Sequence, residues 1–549
     1  MVNMKRTKKL LSMALTLVMT LALAAPALAA VDITVDDGGY NGSYVGYQLF
    51  TATADSTDVN WAYAYNDKYK DIVITAAQTA GNKSDMTTSL QNNPTLMWTL
   101  LGELTADQLR TFADTVYKAI KTAGLEPDAT ATNGVFTGVG QGYWLIADTT
   151  NNAGANAANS LVLLDSAGNN NVTVTPKTSV PTLAKKVLQD TGLQILQDAA
   201  DYDIGDTVTF TLEAVVPENI SNYESYTMVF HDTLPAGLTY DGTKNIVAAV
   251  QHLDVDGNRD TTHPSGAELI AQGLTTNTAP TDGCSVEFTV DLKALKRNNS
   301  GTMVDIRVDA YDKIQIQYSA TLNENAVVGA AGNDNSATLE YSNDPYDSTS
   351  TGRTTEATAT VFTYELVVNK VGPNRGADAA DNPTVALPGA GFTLYKLTGG
   401  AVDADPVWTS VKVIAADAAI SSFSFKGLDA GTYKLEESTV PAGYNKAADV
   451  MFTIAATYDT TGVDPQLTAL TATDVTPGAT DDEKAQFAVS LTPGEGAPNI
   501  GTTVLNQSGV ELPSTGGVGT VIFTVVGLAI VIGVAVAFIV KKRASDSNE

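Results

Sequence analysis

Three short segments each place one reactive side chain among apolar ones. In "LVVNKV" (366–371) the two-residue period of a strand puts Leu366, Val368 and Lys370 on one face. "YKLEES" (433–438) groups Tyr433, Leu435 and Glu437 in the same way, and "TTVLNQ" (502–507) aligns Val504 with Asn506. An amine, a carboxyl and an amide therefore all face an apolar core. A lone buried ammonium is costly, so burial drives Lys370 neutral and lets Glu437 keep its proton. Those protonation states suit one reaction. The Lys370 amine attacks the side-chain carbonyl of Asn506, protonated Glu437 polarises that carbonyl and shuttles protons, and ammonia leaves. The competing reading is a buried Lys-Glu ion pair with Asn506 as a hydrogen-bonding neighbour.

The pattern recurs upstream. "YTMVFHDTLPAGLTY" (226–240) groups Met228, Phe230 and Asp232, and "PTLAKKVL" (181–188) groups Leu183, Lys185 and Val187, so parity selects Lys185 over Lys186. Two amides, Asn335 and Asn343, share a face with Ala337, Leu339 and Tyr341 in "NDNSATLEYSND" (333–344), and the choice between them stays open. In "QGYWLIADTT" (141–150) Ala147 stands where the 433–437 pattern has its acid, and Asp148 faces the other way. No reaction of this type is expected there.

The elements that must hold these groups read as strands. "DTVTFTLEAVV", "KIQIQYSATL" and "TATVFTYELVV" alternate apolar and polar residues between Gly-, Pro-, Asn- and Asp-containing breaks, the pattern of an all-β chain of antiparallel sandwiches. One segment differs. Leu109, Phe112, Val116 and Ile120 recur at helical spacing, Thr105 and Gln108 form a capping-box pair, and Gly124 is a stop, so a helical insertion is expected in an N-terminal domain. Breaks at "TPKTSVP" (175–181) and "YSNDPYDSTSTGRTTEA" (341–357) divide the body into domains at about 30–176, 181–360 and 363–508.

Composition narrows the function classes. A chain of 549 residues exceeds one ordinary core, and its formal net charge of −29 argues against nucleic acid as a partner. Cys284 is the sole cysteine, so no intramolecular disulfide is available. His231, His252 and His263 with no Cys/His motif argue against zinc or a His-based triad, and neither metal nor cofactor is expected. "DVDGNRD" (254–260) has calcium-loop spacing at Asp254, Asp256, Asn258 and Asp260. Arg259 takes the glycine position and Ser265 that of the terminal Glu, so it reads as a polar hairpin turn.

Both ends carry targeting signals. Lys5, Arg6, Lys8 and Lys9 precede an apolar run from Leu10 to Ala25 and the small-residue site Ala27-Leu28-Ala29, a secretory signal covering 1–29. Near the other end Val518 to Val540 lacks any charge, and about 23 residues at about 1.5 Å each span a bilayer core. Lys541, Lys542 and Arg543 begin the cytoplasmic tail (541–549), which leaves the bulk of the chain outside the cell.

Immediately before the membrane helix stands Leu512-Pro513-Ser514-Thr515-Gly516. This order of pentapeptide, apolar span and basic tail resembles the sorting signal of Gram-positive surface proteins. That resemblance implies cleavage by sortase between Thr515 and Gly516, a thioacyl intermediate at Thr515, and a membrane association confined to the precursor. "NVTVTPK" (171–177) resembles the pilin motif of sortase-assembled backbone pilins through Val172, Val174, Pro176 and Lys177, with Thr175 in place of the family's Tyr. It implies Lys177 as acyl acceptor. "LPGAGFTLYK" (387–396) and "YKLEESTVPAGYN" (433–445) resemble CnaB-type domains with internal Lys-Asn isopeptide bonds, and Asp232 before "TLPAGL" resembles the acid of the isopeptide-forming middle domain. The resemblance implies immunoglobulin-like, Cna-type sandwiches. It further implies a wall-attached extracellular polymer of identical subunits, with sortase, accessory pilins and peptidoglycan as partners. A wall-anchored monomeric adhesin and a tip or basal pilin remain as alternatives.

Overall fold

The computed structural model describes residues 30–508 except 38–41, 55–60, 153, 170, 177–178, 191–194, 243–245, 264, 278–282, 377–378, 490 and 492–498. The secretory signal, Lys177, the pentapeptide Leu512 to Gly516, the 518–540 span and the tail lie outside the described residues.

Strands dominate, and they pair into three successive units. In the first, Val31–Val35 lies between Val135–Val139 and Asn171–Val174, and Tyr44–Ala54 lies between Trp61–Tyr65 and Gly142–Asp148 in a second sheet. The second sheet is covered on both sides. Tyr44, Trp144 and Ile146 pack against Val31, Ile33 and Phe136 of the first sheet. Tyr47, Leu49, Leu145 and Ala147 pack against helices. This explains why "YWLIAD" is almost unbroken in its apolar character, as a strand buried on both faces must be. Asp148 is also buried, with its carboxylate accepting from the Thr150 amide at 2.9 Å.

The helical layer is larger than the sequence suggests. Ala106–Ala123 has the expected reciprocal capping box between Thr105 and Gln108, and its C-cap Gly124 adopts φ 62°. Among the described residues three more α-helices precede it, Lys70–Gly81, Thr87–Asn92 and Pro94–Glu103. The third starts where Asn93 caps Leu96 and Pro94 occupies the first turn, a legible start signal.

The middle unit is one antiparallel and one mixed sheet with a shared core. One sheet is ordered Leu196–Gln197, Thr182–Leu188, Thr207–Val215, Lys313–Leu322, Val247–Gln251, Ala267–Leu269. The facing sheet is ordered Ala199–Asp201, Ala357–Phe362, Asn333–Ser342, Thr227–Thr233, Ser285–Asp291, Leu274–Thr276. Phe210, Leu212, Ile314 and Ile316 from one meet Met228, Phe230, Phe288 and Leu339 from the other.

Only Thr363 separates Ala357–Phe362 from the first strand of the third unit, Tyr364–Pro373. That strand runs parallel to the last one, Asn499–Leu505, with Lys370 opposite Val504. The opposing sheet is Ala404–Ile414, Gly391–Ala401, Gly431–Thr439, Val450–Asp459, Gln466–Asp474. Lys396 ties the second and third units together, 2.6 Å from both Asp203 and Asp429.

Candidate functional site: two buried amine, acid and amide clusters

In the third unit alternation along each strand turns the three groups inward. Lys370, Glu437 and Asn506 are 1%, 2% and 1% exposed, and their neighbours Val368, Leu435 and Val504 are buried beside them. Two adjacent parallel strands, the first and last of the unit in sequence, supply amine and amide, and the opposing sheet supplies the acid. Lys370 Nζ contacts Asn506 Oδ1 directly. It also donates to the Val504 carbonyl at 3.1 Å and lies 3.6 Å from Glu437 Oε1. The Asn506 amide nitrogen lies 2.8 and 3.1 Å from the two Glu437 oxygens, and the Ala447 amide donates to Oε2 at 2.8 Å.

The segment after Glu437 holds the end of the Asn506 strand. In "PAGY" the Tyr444 amide donates to the Pro441 carbonyl at 3.2 Å, closing a turn at Gly443, which adopts φ 86°. Tyr444 then pairs with Ser508, and Asn445 donates to the Gln507 carbonyl at 3.0 Å. The Tyr444 ring lies over Gly372, where a Cβ would stand only 3.0 Å from the ring.

The middle unit assembles a second cluster across its two sheets. Lys185 Nζ contacts Asp232 Oδ2, and Tyr318 Oη lies 3.0 Å from Lys185 Nζ while donating to Asp232 Oδ2 at 2.8 Å. Asn335 Nδ2 donates to the same Tyr318 oxygen at 2.8 Å. All four side chains are buried. Asp232 Oδ1 and Asn335 Oδ1 have no hydrogen-bond partner among the described residues. Lys186 points away and pairs with Asp198 at 2.5 Å. Gly237 of "TLPAGL" sits where a Cβ would meet Asn333 Oδ1 at 2.5 Å and Ala326 Cα at 2.6 Å, so only glycine lets that corner close.

The two candidate amides are thereby separated. Asn335 reaches the cluster, whereas Asn343 lies where the first and second units meet. Its amide donates to the Asn152 carbonyl at 3.0 Å, and its own carbonyl accepts from the Asn159 amide at 2.9 Å. Tyr318 is the participant that strand parity did not single out. A tyrosine among Ile314, Ile316 and Ala320 on the buried face of "KIQIQYSA" needs a polar partner for its hydroxyl, and that requirement was the available signal.

Burial sets the protonation. It pulls Lys370 down to about 8, against the opposing pull of Glu437. Burial likewise lowers Lys185 and raises Asp232, each only partly offset by the other's charge, and holds the Tyr318 hydroxyl far above its usual range. His231, on the opposite strand face from Asp232, instead lies 3.0 Å from Glu287.

Replacing Asn506 by Ala removes the amide and leaves Lys370 as a free amine beside Glu437. The folded amine titrates near 8 and the unfolded one near its ordinary 10.5. Between those values the unfolded chain binds more protons, so the third unit should gain stability as pH rises through this window. Urea unfolding of Asn506→Ala should show that gain, and adding Lys370→Met should abolish it. A flat or falling profile in the single variant contradicts the assignment.

Residues 378–466 match the family described as SpaA, prealbumin-like fold domain, and residues 505–547 match the LPXTG cell wall anchor motif. The chain is 25% identical over 418 residues to the trypsin-resistant surface T6 protein of Streptococcus pyogenes serotype M6, covering 67% of this chain and 70% of that protein. Among solved structures it is similar to the T6 backbone pilin of serotype M6 Streptococcus pyogenes, with a TM-score of 0.48 and 15% identity over 89% of this chain and 100% of that one. It is also similar to the Corynebacterium diphtheriae major pilin SpaA, with a TM-score of 0.38 and 12% identity over 87% and 100% of the respective chains. The LPXTG anchor motif makes the chain a cell-wall-attached extracellular protein, similar in sequence to a streptococcal surface protein.

Proposed function

We propose that this protein is the repeating subunit of a covalent surface pilus, linked from Thr515 of one copy to Lys177 of the next and braced by internal bonds from Lys370 to Asn506 and from Lys185 to Asn335. The observation that supports the internal chemistry best is the contact of a buried lysine amine with a buried asparagine amide beside a buried acid.

The reaction balances without a cofactor. The neutral Lys370 amine adds to the Asn506 side-chain carbonyl carbon, the carbon–nitrogen bond to the amide nitrogen breaks, and ammonia departs. A half-turn of the amide about its Cβ–Cγ bond sets the carbonyl oxygen against Glu437, whose acid proton then stabilises the developing oxyanion. Glu437 also carries the proton from the attacking amine to the leaving nitrogen. In the middle unit Asp232 has the same role, and Tyr318 relays between amine, acid and amide. The Lys370 bridge closes a loop spanning a separation of 136 residues. By analogy with a disulfide, the chain-entropy model gives about 5 kcal/mol of stabilisation for such a loop.

Intact mass tests the chemistry. The full extracellular chain should weigh less than its sequence by two molecules of ammonia. Glu437→Ala should restore one and Asp232→Ala the other. Asn335→Ala should also restore one, and Asn343→Ala none. Full sequence mass in the wild type overturns the internal bonds, and restoration by Asn343→Ala instead of Asn335→Ala moves the acceptor.

Assembly is tested separately. Denaturing gels of cell-wall extracts should show a high-mass ladder that Lys177→Ala and Thr515→Ala each abolish. A ladder that persists in Lys177→Ala places the acceptor elsewhere, and wild type released only as monomer favours an anchored adhesin.

A further inference from the structure

The two clusters contain the same three kinds of group but join them differently. In the third unit Glu437 meets the amide itself, with its two oxygens 2.8 and 3.1 Å from Asn506 Nδ2. In the middle unit no hydrogen bond joins Asn335 to Asp232 or to Lys185 among the described residues. Asp232 Oδ2 meets Lys185 and Tyr318, and Asn335 Nδ2 meets Tyr318 at 2.8 Å. The acid therefore reaches the amide through a hydroxyl.

Strand register explains the difference. Lys185 lies opposite Leu212, and Leu212 opposite Ile316, so Tyr318 stands two residues further along the same inner face. On the facing sheet Asp232 lies opposite Ala337, which puts Asn335 two residues along in its turn. The Tyr318 ring is packed by Phe210, Tyr240 and Phe288, with centroids 5.6, 5.8 and 5.4 Å from its own. Its hydroxyl is the meeting point of amine, acid and amide. Asn335 Oδ1, the atom on which charge must develop, has no hydrogen-bond partner among the described residues. Burial holds the Tyr318 hydroxyl far above its usual range, so it keeps its proton, and burial also raises Asp232. A protonated Asp232 donates to Tyr318 Oη and frees the tyrosine's own proton for the amide. A half-turn of that amide exchanges its nitrogen and oxygen and sets Oδ1 against this proton.

Resting on the internal-bond reading above, we propose that Tyr318 is a catalytic residue of the Lys185–Asn335 bond, donating its proton to the Asn335 carbonyl oxygen as the oxyanion forms. Glu437 fills that role without an intermediary in the third unit. The neutral Lys185 amine adds to Asn335 Cγ. Tyr318 passes its proton to the carbonyl oxygen and is reprotonated by Asp232, whose carboxylate takes a proton from the attacking nitrogen. On collapse the oxygen returns its proton through Tyr318, and Asp232 delivers one to the leaving nitrogen. The carbon–nitrogen bond of the amide breaks, ammonia departs, and acid and tyrosine end as they began.

The test is cell-free synthesis of the full extracellular chain, quenched in acid at intervals and weighed intact, with tandem mass spectrometry assigning each lost ammonia to its unit. Tyr318→Phe keeps the ring and its packing. It should form the third-unit bond at the wild-type rate while the middle bond slows by about 100- to 1,000-fold. A side chain needed only for packing does not respond to hydroxyl acidity, so 3-fluorotyrosine at position 318, which retains the hydroxyl and makes it a stronger donor, should speed the middle bond. A wild-type rate in Tyr318→Phe overturns the role of Tyr318 and leaves the internal bonds standing, as does a 3-fluorotyrosine chain no faster than wild type. Absence of the middle bond from wild type overturns the bond itself, and this role with it.

Discussion

The structure turns on a lysine amine whose charge is penalised in an apolar sandwich. Removing an ammonium from water costs more than a single acid partner returns, so the amine moves toward neutrality and the neighbouring carboxyl toward its protonated form. Lys185 and Asp232 show both halves of this effect, and Lys370 shows the first. A neutral amine is a nucleophile, and an adjacent protonated acid is a catalyst for amide exchange. The same burial that penalises the ion pair therefore makes the proposed bond accessible. With Cys284 as the sole cysteine, amide chemistry is also the route open to intramolecular crosslinking.

The two proposed bonds would brace different things. In the third unit the amine and amide sit on the first and last strands of one sheet, adjacent and parallel. Tension applied at the two ends of that unit shears these strands past each other, and a bond from Lys370 to Asn506 carries the load around everything between them. In the middle unit Lys185 belongs to one sheet and Asn335 to the other. A bond there staples the sandwich across its core, while the strand Ala357–Phe362 that leads into the third unit lies outside the bridge. Direct contacts also join successive units. Lys396 pairs with Asp203 and Asp429, and Tyr346 donates to Asp114 across the first boundary.

The inward placement of these side chains was legible because a strand's two-residue period reports which way a side chain faces. It identified Lys370, Glu437 and Asn506 as inward-facing and distinguished Lys185 from Lys186. Parity says nothing about depth along a strand, which is why Asn335 and Asn343 looked equivalent. They are eight residues apart on one face, roughly 26 Å of extended chain, so both cannot reach one site. Tyr318 escaped because a buried tyrosine reads as core packing until its hydroxyl is assigned a partner. The extra helices escaped because β-branched residues in "DIVITAAQTA" mimic strand composition, and packing onto the two-sided sheet of the first unit overrides that preference.

Single-molecule extension of the full extracellular chain measures directly whether force passes through covalent bridges instead of through the hydrogen bonds of the sheet. Glu437→Ala leaves Lys370 and Asn506 in place and removes only the acid. The account predicts that the wild-type third unit yields no unfolding step between Lys370 and Asn506, whereas Glu437→Ala adds a step whose length matches the 136-residue separation. A wild-type third unit that unravels to the same length as the variant would contradict it.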